Sequence, residues 1–186
     1  DSKTLSVFSV SFVAEIYIAG AHCNGKADAP VKVAVFRDFE WPYCGKVVPL
    51  LEQLLEKNPE TVKLVFKNMP LRFHKFADPS ARAALAAFKQ DKFWEFHDEL
   101  FGAEKLSNEV INNIAVKLNL DIAQFNNDMN SPEIKQMISK DLQDAQKAGV
   151  TGTPTIFVNG KKLKDRSPAG FQAMIDQELK GRWKND

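Results

Sequence analysis

The sequence predicts an α/β domain whose sheet is interrupted by a long helical insertion. Two strand-like segments joined by a helical one fall within residues 31–67, and residues 71–148 carry a helical pattern throughout. A strand, a hairpin turn and a final helix then complete the pattern. Strand, helix and strand in succession form a βαβ unit. At 186 residues the chain is long enough for one such domain with a substantial core.

The first twenty residues fit two descriptions. Lys3, an apolar-leaning stretch over 5–18 and Ala19-Gly20-Ala21 are typical of a signal peptide with its cleavage site. Glu15 and three serines interrupt that stretch, however. Apolar and polar residues also alternate over 8–18, which is typical of a half-buried strand. We favour a leading strand here.

The first buried strand leads into a turn that carries one of the two cysteines. Apolar residues on both faces of 31–36 predict a buried strand. Pro42 stands at the first predicted helical position, and apolar residues follow at helical spacing. Cys44 is therefore expected in the first turn of a helix, where backbone N–H groups favour a thiolate. That helix should end before Pro59, and residues 61–67 alternate as the next strand.

Five helical segments are predicted between residues 71 and 148. The helix-start signals are Asp78 before Pro79, Ser107, Asp121 in a capping box with Gln124, and Ser131 before Pro132. The aromatic residues of 91–101 recur at helical spacing, and we interpret them as the core of the insertion. Gly149 ends the last helix of this region.

The last part of the chain returns to the sheet. Residues 155–158 form a predicted strand, Asn159-Gly160 is a strong hairpin signal, and 161–164 return. Ser167 is the expected cap of a final helix. The predicted parts are thus 1–70 and 149–186, which build the sheet domain, and the insertion at 71–148.

Several segments carry a resemblance to a known family. Asp38-Phe39-Glu40-Trp41-Pro42-Tyr43-Cys44 resembles the active-site segment of DsbA-like thiol:disulfide oxidoreductases, which have Cys-Pro-Tyr-Cys or Cys-Pro-Phe-Cys there. Residues 149–160 resemble the family's cis-proline loop and final hairpin, and 66–74 and 92–101 are similar to segments of its bacterial members. The resemblance implies a thioredoxin-like fold, a central mixed sheet flanked by helices, with an inserted all-helical subdomain. In this chain Trp41 occupies the position of the first cysteine.

This difference bears on the chemistry that the family implies. A CxxC oxidase needs an attacking cysteine and a second cysteine, three positions on, that resolves the mixed disulfide. An indole cannot attack a disulfide, so we expect impaired dithiol turnover. Cys44, the remaining thiol, is either a small half-buried hydrophobe or a monothiol nucleophile. Glu40 either tunes a nearby thiol or is a solvated turn carboxylate.

Cys23 is an unfavourable replacement partner for Cys44. The two cysteines flank a predicted strand of seven residues, which spans roughly 20 Å. A disulfide requires Cα atoms within about 7 Å. Unless residues 20–30 fold back along the strand, the cysteines do not meet, and Cys23 is left for an intermolecular disulfide.

The resemblance assigns a second part of the site to Thr153-Pro154. A proline that opens a strand after Gly-Thr suits a cis peptide bond in a substrate-facing loop, although it also suits an ordinary strand start. Thr153, Pro154 and Glu40 are predicted substrate contacts. Trp41, if it is exposed, would join Tyr43 and, as a further candidate, Phe39 in an apolar surface of the kind that binds partners. Pro42 is the motif residue between Trp41 and Tyr43.

Metal and nucleic-acid functions are disfavoured. His74 and His97 lie in separate segments without cysteine or carboxylate at ligand spacing, so no metal is predicted. A net charge of +1 does not favour nucleic acid, and no transmembrane run is visible. No cofactor is implied.

The expected function is therefore DsbA-like thiol:disulfide interchange with a degenerate Trp-Pro-Tyr-Cys site. Expected partners are extended or unfolded polypeptides and a redox partner protein, in the periplasm or another extracytoplasmic compartment, with the chain a monomer or weak dimer. One alternative is a non-catalytic peptide-binding or chaperone-like module that uses Trp41, Tyr43 and Pro154. Another is a glutathione-binding relative, which ranks last because Trp41 has no hydroxyl group.

Overall fold

Five strands and eight helices make up residues 22–182, the part of the chain that the computed structural model describes. In chain order they are β1 (His22–Gly25), β2 (Val31–Arg37), α1 (Pro42–Gly45), α2 (Val48–Lys57), β3 (Val62–Asn68), α3 (Ala77–Phe88), α4 (Phe93–Gly102), α5 (Asn108–Lys117), α6 (Ile122–Met129), α7 (Pro132–Lys147), β4 (Thr155–Val158), β5 (Lys161–Lys162) and α8 (Pro168–Arg182). The leading strand predicted at 8–18 lies outside the described residues.

The strands form one mixed sheet in the order β1-β3-β2-β4-β5. β1 pairs with β3, β2 with β4, and β4 with β5, all antiparallel. Between β2 and β3, Val31 N donates to Thr61 O near the start of both strands, and Met69 N donates to Arg37 O near their ends. These two strands therefore run parallel, as the βαβ prediction requires.

The described residues divide into two compact units. One contains residues 22–36, Val47–Lys67 and 154–182, which comprise most of the sheet with α2 and α8. Its core consists of apolar residues from β2, β3, β4 and both helices. They include Val31, Val33, Val35, Leu51, Leu54, Val62, Ile156, Val158, Phe171 and Ile175.

The other unit contains Arg37–Lys46 and Asn68–Thr153, so the segment with Cys44 groups with helices α3 to α7. Its central helix is the alanine-rich α3, which packs against α4, α6 and α7. Small side chains let the neighbouring helices approach closely, and most of α3 is buried as a result. The boundaries 71–148 for the insertion stay a prediction.

Most predicted helix starts are confirmed by side chains that accept hydrogen bonds from backbone N–H groups. The pairs are Ser107 with Val110, Asp121 with Gln124, Ser131 with Ile134, and Ser167 with Gly170. The capping box is only half formed, because the N–H of Asp121 donates to Gln90 instead of to Gln124. Asp78 is not a cap: α3 begins at Ala77, and Pro79 is accommodated within its first turn, where an N–H is not needed.

The helix predicted to run on from Cys44 is broken in two. α1 ends at Gly45, and α2 begins at Val48 with a proline in its first turn. In a continuous helix, Pro49 could not donate to the carbonyl of Gly45, and its ring would clash with that carbonyl. Cys44 therefore belongs to a single helical turn, whose dipole is much smaller than that of the predicted long helix.

The hairpin prediction is confirmed at its turn. Asn159 and Gly160 have φ values of 44° and 82°, the left-handed pair that a two-residue type I′ turn needs. Asn159 Oδ1 also accepts a hydrogen bond from Lys32 N at 2.8 Å. The return strand β5 covers only two residues and is shorter than predicted.

Gly25, at the end of β1, provides a test of how tightly the sheet unit is packed. Its φ is +111°, and an added Cβ would lie 2.7 Å from Val62 O. Because both backbone strain and overlap oppose a side chain, we expect Gly25→Ala to lower the free energy of unfolding by about 2–3 kcal/mol in urea denaturation. The matched control is Gly102→Ala, where no atom lies within 4 Å of the added Cβ. Equal losses in the two variants would contradict the expectation.

Candidate functional site

Cys44 has no solvent-exposed surface. Burial raises the pKa of its thiol, and the nearby Asp38 carboxylate acts in the same direction. The N–H of Asp38 opposes the shift by donating to Sγ at 3.4 Å, as do the Thr153 hydroxyl and the Arg37 guanidinium. Burial has the largest effect, so Cys44 is a shielded thiol that stays protonated near neutral pH.

Arg37 holds the turn that contains Cys44. It is 2% exposed, and its Nη2 donates to the backbone carbonyl of Cys44 at 3.0 Å. Its Nη1 lies 2.9 Å from Nε2 of His97, and the guanidinium carbon lies 4.2 Å from the ring centroid of Phe101. Sequence reasoning missed this role. The available signal was a charged residue at the end of a buried strand, directly before the Cys44 motif.

The Arg37 contact determines the protonation of His97. A guanidinium group can only donate, so Nε2 of His97 must accept and the ring is neutral. The proton then sits on Nδ1, which donates to Asp98 Oδ1 at 2.7 Å. Burial, assisted by the Arg37 charge, lowers the pKa of His97 to about 4 against the opposing effect of Asp98. His97 is thus a neutral histidine in the core.

Acid is expected to destabilise the fold between pH 6.5 and pH 4. Burial lowers the pKa of both His97 and His22 to about 4, so in this window the unfolded chain binds protons that the folded chain does not. The free energy of unfolding should therefore fall as the pH falls, by about 3 kcal/mol per histidine by pH 4. Urea denaturation across this range measures the effect. His97→Gln should make the pH dependence shallower, and an unchanged slope would contradict this assignment.

Asp38 links the motif to the loop that follows β3. Its side chain is fully buried. Oδ1 accepts from the N–H of Glu40 at 2.8 Å, and Oδ2 accepts from Leu71 N and His74 Nδ1, each at 2.8 Å. These contacts fix the loop at residues 71–74 against the segment that precedes Cys44.

Glu40 makes a second link of the same kind. Its Oε2 accepts from the N–H of Phe76, the residue before α3. A carboxylate is stabilised at a helix N-terminus. The structure therefore places Glu40 at the start of α3 instead of leaving it as a solvated turn residue.

Trp41 and Tyr43 form a partly exposed cluster with two residues that sequence reasoning did not assign to the site. The ring centroids of Trp41 and Tyr43 are 5.2 Å apart, and Trp41 stacks on His74 at 5.3 Å. Phe73 packs edge-on against His74 at 4.5 Å. Tyr43 is 57% exposed and Phe73 is 76% exposed. We call Trp41, Tyr43, Phe73 and His74 the aromatic patch.

Phe39 does not belong to the aromatic patch, although the sequence made it a candidate for the same apolar surface. It is buried, with its ring 4.9 Å from that of Phe101 and 5.9 Å from that of His97. Its side chain therefore lies in the interior of the unit that contains α3 to α7.

Comparisons with known proteins decide the family. The profile of the family described as Thioredoxin matches residues 19–177. A relative named probable disulfide bond formation protein D, from Bacillus anthracis, is 39% identical over 171 residues, which cover 84% of this chain and 77% of the relative. The chain belongs to the DsbA-like thiol:disulfide oxidoreductase family. The resemblance seen in the sequence is thereby confirmed.

Solved structures confirm the thioredoxin-like fold of this DsbA-like chain. A thioredoxin-like oxidoreductase from Silicibacter pomeroyi DSS-3 superposes with a TM-score of 0.82 at 30% identity, covering 90% of this chain and 96% of the other. Oxidised BdbD from Bacillus subtilis gives a TM-score of 0.72 at 28% identity, with coverage of 88% and 95%.

Two predicted features of the DsbA-like site stay predictions. The Thr153 hydroxyl lowers the pKa of the Cys44 thiol, and Pro154 directly precedes β4, but the cis peptide bond between Thr153 and Pro154 is a prediction from the family pattern. The substrate contacts assigned to Thr153, Pro154 and Glu40 also remain predictions.

Cys23 is exposed on β1, and neither cysteine is in a disulfide. Within residues 22–182, no cluster of three His, Cys, Asp or Glu side chains could hold a metal ion.

Proposed function

We propose that this DsbA-like protein is impaired in ordinary dithiol turnover because Trp41 stands at the attacking position of its Trp-Pro-Tyr-Cys segment. The observation that carries the proposal is the complete burial of Cys44, the one thiol in that segment. Burial also raises the pKa of Cys44, so the nucleophilic thiolate is scarce near neutral pH.

The chemistry of the family requires two sulfur atoms in sequence. In the reducing direction, which an insulin assay measures, an enzyme thiolate attacks a substrate disulfide, one substrate sulfur leaves as a thiolate, and a mixed disulfide forms. The second cysteine then attacks the enzyme's own sulfur in that bond and releases the reduced substrate. Trp41 cannot perform the first step, and a monothiol route would require a substrate sulfur to reach the inaccessible Sγ of Cys44.

The proposed substrates are extended or unfolded polypeptides in an extracytoplasmic compartment. The name of the Bacillus anthracis relative, probable disulfide bond formation protein D, supports a substrate with thiols or disulfides. No helix within residues 22–182 has the length and apolarity needed to cross a bilayer. A redox partner protein would be required only if Cys44 turns over.

Insulin reduction with dithiothreitol tests the proposal. We expect the parent chain and Cys44→Ala to reduce insulin at the same background rate. In parallel, alkylation followed by peptide mass spectrometry should modify the exposed Cys23 well before the buried Cys44. Turnover above background that Cys44→Ala abolishes would refute the proposal and establish monothiol exchange.

We keep a non-catalytic peptide-binding module as a second proposal, and the exposure of Tyr43 and Phe73 supports it. Large exposed aromatic side chains in a contiguous group commonly mark sites of protein interaction. Binding of a cysteine-free peptide would separate this function from thiol exchange.

A further inference from the structure

We propose that the aromatic patch and the cations beside it bind extended polypeptide segments that combine acidic with apolar side chains. The inference rests on the proposed function, since it names the class of polypeptide that the same site would accept. The binding of cysteine-free peptides can nevertheless be measured independently of any thiol reaction.

The aromatic patch offers several ring surfaces side by side. Tyr43, Trp41 and His74 follow one another at centroid distances of 5.2 and 5.3 Å, and the Trp41 and His74 rings are stacked at an interplanar angle of 30°. Phe73 continues the row beside His74. Rigid aromatic rings supply large contact areas at a small cost in conformational entropy, and they accept apolar side chains of many shapes.

The loop that carries half of the patch is held in place before any partner binds. Asp38 accepts hydrogen bonds from both Leu71 N and His74 Nδ1, and His74 N donates to Leu71 O at 3.0 Å. Glu40 accepts from Phe76 N at the other end of the loop. A preformed surface loses less entropy on binding than a mobile one, so the patch is organised for recognition.

One exposed cation contacts the patch, and two more, Arg72 and Lys75, are next to its residues Phe73 and His74 in the chain. Lys46 Nζ lies 4.9 Å from the ring centroid of Tyr43, and Lys75 Nζ lies 5.2 Å from that of Phe76. Arg72 is exposed beside Phe73 in the chain. Within residues 22–182, none of these three forms an ion pair with Asp or Glu. Their charges are therefore available to a ligand.

The acidic side chains of the same segments are fewer than the cations. Asp38 is buried and accepts three hydrogen bonds within the unit, and the Glu40 carboxylate binds the N–H of Phe76. These hydrogen bonds leave both carboxylates charged, but residues 37–46 and 71–76 carry four Lys or Arg side chains against two carboxylates, whereas the whole chain has a net charge of only +1. Charge complementarity selects an acidic partner, and the aromatic rings select apolar side chains within it.

The test uses the Cys44→Ala chain and short, fluorescein-labelled, cysteine-free peptides. Three peptides share the same Phe and Val positions and carry Glu, Ser or Lys at every other position. Fluorescence anisotropy should show the Glu peptide binding at least about tenfold more tightly than the Lys peptide at low salt, with the difference shrinking at high salt. Equal affinity for the Glu and Lys peptides would overturn the proposal.

Variants assign the affinity to the named residues. The triple variant Lys46→Glu, Arg72→Glu, Lys75→Glu should bind the Lys peptide more tightly than the Glu peptide. Trp41→Ala should bind all three peptides more weakly than the parent. The matched controls are Lys135→Glu on α7 and Val116→Ser on α5, both exposed and outside the patch. Unchanged binding in Trp41→Ala would overturn the proposal. So would self-association in sedimentation that Trp41→Ala abolishes, because a second copy would then cover the patch.

The insulin assay and the peptide assay can refute their two proposals independently. Insulin turnover that depends on Cys44 would refute the impaired-turnover proposal and leave the peptide preference intact. A missing acidic preference in a chain that is inert towards insulin would refute only the binding inference.

Discussion

Replacing Trp41 with cysteine is expected to raise the rate of insulin reduction by at least about a hundredfold over the parent chain, since an intramolecular resolving thiol acts at a high effective concentration. The new thiol would precede the helical turn Pro42–Gly45, three positions before Cys44. Trp41 is only partly buried, so its replacement does not open a large cavity in the core. The burial of Cys44 hinders external substrates more than it hinders a neighbouring sulfur.

Two further variants separate the effect of the new thiol from the effect of losing the indole ring. Trp41→Ser removes the ring without supplying a nucleophile and should stay at the parent's rate. Trp41→Cys combined with Cys44→Ala should accumulate a mixed disulfide with the substrate, visible by mass spectrometry, because the resolving thiol is absent. If Trp41→Cys forms its internal disulfide yet stays inert, the scaffold itself is not competent for exchange.

Removing the Asp38 carboxylate is expected to lower the free energy of unfolding by about 3–5 kcal/mol, since several buried donors lose their charged acceptor. In Asp38→Ala, the N–H groups of Glu40 and Leu71 and the Nδ1–H of His74 lose the carboxylate that accepts their hydrogen bonds. Urea denaturation with linear extrapolation gives the difference. Asp38→Asn retains one acceptor oxygen and should lose less.

The matched control for Asp38 is a carboxylate that also pairs with a basic side chain but lies at the surface. Asp78 is 58% exposed and accepts from Arg82 Nε at 2.9 Å. Because solvent screens such pairs, Asp78→Ala should cost less than about 1 kcal/mol. Similar losses for Asp38→Ala and Asp78→Ala would show that the buried network contributes little to stability.

Local patterns predicted much of the fold. β2 and β4 have the predicted bounds because their apolar runs are short and end at polar residues. Ser107 and Ser131 cap helices as predicted, since a cap depends on residues only three positions away. The break at Pro49 is equally local, and the error there came from overlooking a proline inside an apolar helical pattern.

The contacts that form the site join residues far apart in the chain. Arg37 meets His97 across 60 positions, and Asp38 meets His74 across 36. Periodicity and capping rules describe neighbours within a few residues, so they carry no information on these pairs. The same reason explains why Phe73 was absent from the predicted site.

The sequence by itself determined the family, the order of strands and helices from β3 onward, and the absence of a thiol at position 41. Those features depend on residue identity and short-range spacing. Only the tertiary structure decided that Cys44 is fully buried, that Glu40 binds the start of α3, and that Phe73 and His74 extend the aromatic surface of Trp41. Burial and long-range hydrogen bonds are properties of the packed chain, because each requires a partner that packing brings close.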